Sequence, residues 1–123
     1  MGYHHLDPAD VDPLSDRPVD ARSFSDAAQL DNLGLRLYRA QPGQQLPLTY
    51  HSHDRQEEAF YVVDGTLHVE TPDRDYEVGT GEVFVAEPGQ PHRAHNPEDA
   101  DASVRVLAVG APAVDDARPY EPS

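Results

Sequence analysis

The stretch HSHDRQEEAF, residues 51–60, combines histidines and glutamates, residue types that commonly bind divalent metal ions. His51 and His53 are separated by one residue, so their side chains point to the same face of an extended strand. Glu58 follows five residues after His53, an odd step that would put its carboxylate on the opposite face of a straight strand. The polar residues 54–57 therefore predict a turn, and a hairpin through it would place His53 and Glu58 opposite each other.

This hairpin register makes Glu58 rather than Glu57 the ligand candidate, and it pairs His51 with Phe60. Two imidazoles and one carboxylate on a single face match the arrangement in which proteins hold divalent iron and its neighbours. Exposed strands also carry such histidine pairs without binding a metal ion. The fragment alone therefore leaves two interpretations open, a metal site and a solvated loop between strands.

A second stretch, GEVFVAEPGQPHRAHN at residues 81–96, adds another histidine to this set. Proline and glycine residues with turn chemistry directly precede His92. In the extended segment that begins there, Arg93 and His95 face the side opposite to His92. We therefore predict His92 as a fourth ligand and exclude His95 unless a bulge intervenes.

The elements that position these residues are short strands. Leu33, Leu35 and Leu37 alternate with other residues in the pattern of a half-buried strand. Seven more candidates follow at close spacing, at 46–53, 58–64, 66–71, 75–78, 82–86, 92–96 and 103–109. Turn signals separate them, and the strongest hairpin signal is Asp64-Gly65. This series predicts an all-β domain, closed or sandwiched.

The chain divides into three predicted regions. Residues 1–32 form an N-terminal arm rich in Asp and Pro, with one short helix in SFSDAAQL, where Ser23 is the expected cap. Residues 33–110 form the β-barrel. Residues 111–123, again rich in Pro and Asp, form a C-terminal tail on the surface.

Composition excludes several classes of function. The chain of 123 residues has no cysteine, so disulfides, thiolate metal sites and cysteine nucleophiles are excluded. It has 23 acidic residues against 9 basic ones, a net charge of −14, and every basic residue is an arginine. Such a surface repels nucleic acids and anionic membranes, and it suits concentrated salt, so we expect neither partner and predict a halophilic origin. No membrane span or signal peptide is evident, which predicts a cytoplasmic protein.

The two stretches together resemble the two motifs of the cupins. Residues 51–65 read His-x-His, four residues, Glu, six residues, Gly, and residues 81–96 read Gly, five residues, Glu-Pro-Gly, two residues, His, three residues, Asn. The second motif departs from the family pattern in having Glu87 where Pro is usual. The resemblance implies a jelly-roll β-barrel, a tight turn at Gly65 and a homodimer.

The resemblance also implies a cofactor and a ligand set. One divalent metal ion, which could be Mn, Fe, Ni, Co, Cu or Zn, would be bound inside the barrel by His51, His53, Glu58 and His92. Three neutral imidazoles and one carboxylate would leave the ion positively charged and accessible to a small molecule.

Several functions fit such a site. The protein would be a metal-dependent oxygenase or isomerase acting on a small molecule that the sequence does not specify. An alternative is a non-catalytic module that binds a sugar-like molecule, with the metal structural or absent; in a metal-free barrel His51 or His92 would act as a general base. A hydrolase triad is excluded because no serine has the required partner pattern.

Overall fold

The computed structural model describes residues 2–121, and within them the side chains of all residues except 47 and 48. The described chain folds into ten strands and one α-helix, with a 3₁₀ turn at Pro8–Asp10. The strands are β1 (Asp20–Ser23), β2 (Gly34–Ala40), β3 (Gln45–His53), β4 (Glu57–Asp64), β5 (Thr66–Glu70), β6 (Asp75–Gly79), β7 (Val83–Ala86), β8 (His92–His95), β9 (Val104–Ala111) and β10 (Ala117–Pro119). The helix α1 spans Phe24–Ala28.

The strands form two five-stranded antiparallel sheets that enclose a shared interior. Sheet A has the order β1-β2-β9-β4-β7, and sheet B has the order β10-β3-β8-β5-β6. The chain passes repeatedly from one sheet to the other, which is the jelly-roll arrangement. The predicted all-β, jelly-roll fold with one short helix is therefore confirmed.

The core lies between the inner faces of the two sheets. Phe60, Val62 and Val106 enter it from sheet A, and Leu67 and Val69 enter it from sheet B. These side chains are fully buried, and burying each one contributes about 1.5–3 kcal/mol to stability. This packing holds the sheets at a fixed separation, which the candidate site depends on.

The predicted hairpin between residues 51–53 and 58–60 is wrong. β3 lies in sheet B beside β8 and β10, whereas β4 lies in sheet A between β9 and β7. The intervening residues 54–56 carry the chain from one sheet to the other. A short polar connection can join two strands of one sheet or pass from one sheet to the other. Here β3 and β4 pair with strands that are distant in sequence, and this pairing places them in different sheets.

The Asp64-Gly65 turn also passes between sheets instead of forming a hairpin. It joins β4 of sheet A to β5 of sheet B. Gly65 has a φ of +102°, and a Cβ there would lie 3.0 Å from the carbonyl oxygen of Ser103. The turn is therefore as tight as predicted, but it serves a different connection.

Two strands lie outside the predicted set of eight. β1 pairs with β2 and buries Ala21 and Ser23, and β10 pairs with the end of β3. Both strands are short and lie among prolines and aspartates, so neither shows the alternation of apolar and polar residues from which a strand is predicted. Pairing with a sheet edge makes them strands. The predicted helix is confirmed, with the Ser23 hydroxyl accepting a hydrogen bond from the Asp26 amide.

The strand β2 turns its leucines away from the core. Tyr38 and Ala40 are buried inside the barrel, while Leu35 and Leu37 lie on the outer face of sheet A. The alternation is therefore real, but the more apolar side of this strand faces outward. No helix in the described chain is long and apolar enough to cross a membrane.

We expect added salt to stabilise this fold, because screening weakens the mutual repulsion of a chain with a net charge of −14. Raising NaCl from about 0.1 M to 1 M shortens the Debye length from about 10 Å to 3 Å. Thermal unfolding followed by circular dichroism should show a midpoint higher by roughly 4 °C, which corresponds to about 1 kcal/mol in a domain of this size. KCl should act equally, and an unchanged midpoint would contradict the halophilic interpretation.

Candidate metal centre

The candidate site forms where the two sheets face each other at one end of the interior. His51 and His53 lie at the end of β3, and His92 is the first residue of β8, with His51 and His92 directly paired in sheet B. Glu58 enters from β4 of sheet A. Three imidazoles from one sheet therefore face one carboxylate from the other, and all three histidines are buried.

The nitrogen and oxygen atoms of these side chains converge. Glu58 Oε1 lies 2.9 Å from His92 Nε2, 3.4 Å from His53 Nε2 and 3.9 Å from His51 Nε2. The Nε2 atoms of His51 and His53 are 3.2 Å apart. His51, Glu58 and His92 form the compact group, with ligand atoms within 4.8 Å of one another. His53 contacts this group from one side, and its ring centroid is 6.3 Å from that of His92.

The opposite nitrogen of each ring has an acceptor. His51 Nδ1 donates to the Thr49 carbonyl at 2.8 Å, and His92 Nδ1 donates to the Gln90 carbonyl at 2.9 Å. A carbonyl oxygen only accepts, so Nδ1 carries the proton in both rings. The Nε2 atoms of both rings therefore point toward the common centre.

His53 has a different partner behind it. Its Nδ1 donates to Asp116 Oδ1 at 2.8 Å, and Asp116 Oδ2 accepts from the backbone amides of Arg55 at 2.7 Å and Gln56 at 3.1 Å. Sequence reasoning missed Asp116, which is one of 23 acidic residues and lies in the predicted tail. Only folding brings it to His53, 63 residues away.

The electrostatics of the centre favour a cation. Burial alone would raise the pKa of Glu58, but its contacts with His51, His53 and His92 lower that pKa well below the usual range. Hydrogen bonding to Glu58, supported by Asp116, raises the pKa of His53. A buried carboxylate thus stays ionised and attracts positive charge to the point where the imidazole nitrogens meet.

This donor set fits a divalent ion. Three imidazole nitrogens with the correct tautomer and one ionised carboxylate form a ligand set typical of Zn, Fe, Ni, Co, Cu or Mn. Hydrogen bonds behind the rings, which commonly orient metal-binding histidines, are already in place. The structure brings all four predicted residues together; their binding to an ion stays a prediction.

Other titratable residues lie outside this centre. Glu57 is exposed at the start of β4, consistent with its exclusion. His95 and His68 pair on the outer face of sheet B, where His95 Nδ1 is 3.8 Å from Glu70 and burial lowers the pKa of His95. His4 and His5 are exposed in the N-terminal segment.

A cavity of about 590 Å³ opens beside the centre, between the edge strands β6 and β7. His92 lines this cavity, together with Tyr76, Phe84 and Gln90. Phe84 is partly buried in the wall, and Val85, at the edge of the cavity, is 58% exposed. Acidic residues also line the cavity: Asp73, Glu77, Glu82 and Glu87.

Comparison with solved structures identifies similar folds. The polyketide cyclase RemF from Streptomyces resistomycificus is 23% identical, with a TM-score of 0.80 over 98% of this chain and 87% of that one. KdgF from Halomonas sp. is 22% identical, with a TM-score of 0.75 over 94% of this chain and 97% of that one. A candidate sugar phosphate isomerase from Acidithiobacillus ferrooxidans is 26% identical, with a TM-score of 0.68. That match covers 76% of this chain but only 58% of the isomerase.

Comparison with protein families gives a match across most of the barrel. No curated protein sequence matches the chain. The family model for the cupin domain matches residues 36–110, which include the histidines and glutamate of the centre. With this match and with these structural neighbours, the chain belongs to the cupin family.

Proposed function

We propose that this protein is a metal-dependent cupin enzyme, an oxygenase or an isomerase, acting on a small molecule in the cavity beside His92. One observation carries the proposal: the Nε2 atoms of His51, His53 and His92 converge on one ionised carboxylate, Glu58. His92 Nε2 lies 2.9 Å from Glu58 Oε1, and the Nε2 atoms of His51 and His53 lie 3.2 Å apart, so a single ion would replace the hydrogen bonds among these groups. A divalent ion satisfies them all at once.

The chain's own residues would hold and shield the ion. His51, His53, Glu58 and His92 would bind it, and when bound it would act as a Lewis acid toward an oxygen of the small molecule. The rings of Phe60 and Phe84 lie 6.0 and 6.3 Å from the ring of His92 and limit the access of water. The small molecule would enter through the cavity between β6 and β7.

The two adjacent glutamates provide a direct test of the site. Glu58→Gln should lower Zn²⁺ affinity by more than about 100-fold, because it removes the charged ligand itself. Mutating a residue that only hydrogen-bonds to a metal ligand typically lowers metal affinity by about 10–100-fold. Glu57→Gln makes the same chemical change on an exposed residue and should leave affinity unchanged. Competition with a chromophoric chelator measures both values. Equal affinities in the two variants, or no Zn²⁺ binding by the unaltered protein, would refute the metal centre.

The second candidate function is a non-catalytic module, in which the cavity beside His92 binds a sugar-like molecule without converting it. Both functions predict a small-molecule ligand, and the carboxylates lining the cavity favour uncharged molecules over anions.

Matched pairs of a free sugar and its phosphate, incubated with the Mn²⁺-, Fe²⁺- or Zn²⁺-loaded protein, distinguish the two functions by NMR. New product signals that chelation abolishes support the enzyme. Saturation transfer to the free sugar without new signals supports the binding module, and stronger binding of the phosphate would contradict the expected selection against anions.

We also propose that two copies pair through the outer face of sheet A. This outer face includes Tyr61, Val63, Val83 and Val85, which are 36–58% exposed, next to Leu107 and Val109 on β9. Arg22, Arg39 and Arg105 lie on the same face. The arginines make this face less acidic than the rest of a chain with a net charge of −14, so two copies repel each other least here. The apolar residues and the arginines of this face therefore favour a second copy of the chain as the molecule that covers it.

Sedimentation measures this pairing. The unaltered chain of 13.6 kDa should sediment at about twice that mass, and Val83→Glu combined with Val85→Glu should give a monomer because it places charges inside the interface. Leu30→Glu is the matched control, since Leu30 is 40% exposed and follows α1 outside the strands of sheet A, and this variant should stay dimeric. A monomeric unaltered chain would refute the pairing.

A further inference from the structure

The chain beyond the matched family segment returns to the candidate metal centre. We refer to residues 112–119 as the C-terminal strap; they follow β9 and lie outside the match at 36–110. β10, within the strap, pairs with β3 so that Ala117 lies beside His53 and Pro119 lies beside His51. The strap thus forms the outer neighbour of the strand that carries two of the histidines.

The strap is also bound to the connection between β3 and β4. Gln56 Nε2 donates to the Pro112 carbonyl at 3.1 Å, and its side chain crosses closely over Gly110. A Cβ at Gly110 would lie only 2.8 Å from Gln56 Cδ, so a side chain there would displace this contact. At the far end, the Asp54 carboxylate forms an exposed ion pair with Arg118. The strap and the connection therefore hold each other in place.

The three histidines differ in what fixes their rings. His51 and His92 donate from Nδ1 to carbonyls two residues earlier in their own segments, at Thr49 and Gln90. These hydrogen bonds form as soon as each strand adopts its local conformation. His53 instead donates to Asp116 of the strap, whose side chain is 13% exposed and whose other oxygen accepts two backbone amides. Its orientation depends on a distant segment.

We propose that Asp116 is a positioning residue that makes His53 a metal ligand, so that the strap sets whether the centre has three imidazoles or two. This inference rests on the proposed metal centre. Without Asp116, the compact group of His51, Glu58 and His92 keeps its own supports and stays intact. With Asp116, the proton is held on Nδ1 of His53, and its Nε2 is directed toward His51 and Glu58. A carboxylate behind an imidazole also makes that ring a more basic ligand than a carbonyl does.

The test uses Asp116→Ala, with two control variants in the same region. Asp115→Ala removes the neighbouring exposed carboxylate, and Asp54→Ala removes the exposed ion pair of the strap without touching His53. The first readout is the ¹⁵N spectrum of the histidine rings in metal-free protein at a pH where the rings are neutral. We expect an Nδ1-protonated His53 in the unaltered protein and in both controls, and a loss of that tautomer at His53 alone in Asp116→Ala.

The second readout is Co²⁺ binding, followed by visible absorption. Asp116→Ala should lower Co²⁺ affinity by about 10–100-fold, the typical effect of removing a group behind a metal ligand, and should change the spectrum because one ligand is lost. Asp116→Asn retains an oxygen that accepts a hydrogen bond from His53, so it should lose less Co²⁺ affinity than Asp116→Ala. It replaces Asp116→Ala in the test if that variant does not fold. Both controls should match the unaltered protein.

Two results would overturn the proposal. One is an unchanged His53 tautomer in Asp116→Ala, with only the melting temperature lowered, because this would make the residue merely structural. The other is a Co²⁺ affinity and spectrum identical to those of the unaltered protein. If the unaltered protein binds no metal, the proposed function fails, whereas the ring tautomers still decide whether Asp116 orients His53.

Discussion

The contact between the Glu58 carboxylate and three imidazoles is the interaction on which the rest of this structure depends. It places an ionised group inside the barrel, and removing the partners of such a buried charge costs about 3–5 kcal/mol. Glu58 comes from sheet A and the histidines come from sheet B, so the contact requires a fixed register in both sheets. The apolar core beside it supplies that register by holding the two sheets at one separation.

The proposed centre would offer a cation to a small molecule, and its ligand set is compatible with more than one reaction. Solved structures of similar fold include a protein named as a polyketide cyclase and one named as a candidate sugar phosphate isomerase. The ligand set suits several metals and reaction classes, and fold similarity does not choose among them. In the proposed function the choice of small molecule would lie with the cavity, where Tyr76 and Phe84 provide flat apolar surfaces and several carboxylates line the wall.

The outer faces of the two sheets have different characters. The outer face of sheet A is apolar, with its arginines grouped near one end, which accounts for the leucines that β2 turns outward. The outer face of sheet B is polar, with His68, His95 and Glu70 in adjacent strands. The first of these faces is the one through which we propose that a second copy binds. In both sheets the inward side chains form the interior of the barrel, and the outward side chains determine its contacts with solvent and with other molecules.

The sequence by itself determined the fold class, the short helix and the identity of the clustered residues, because strand alternation and two spaced motifs are local patterns. It also separated Glu58 from Glu57, although the reason was wrong: Glu58 reaches the histidines across the interior, not across a hairpin. Only the tertiary structure decided which strands are neighbours, that β1 and β10 are strands, and that Asp116 supports His53. These features depend on contacts between segments far apart in the chain, and no local pattern of residue types encodes such contacts.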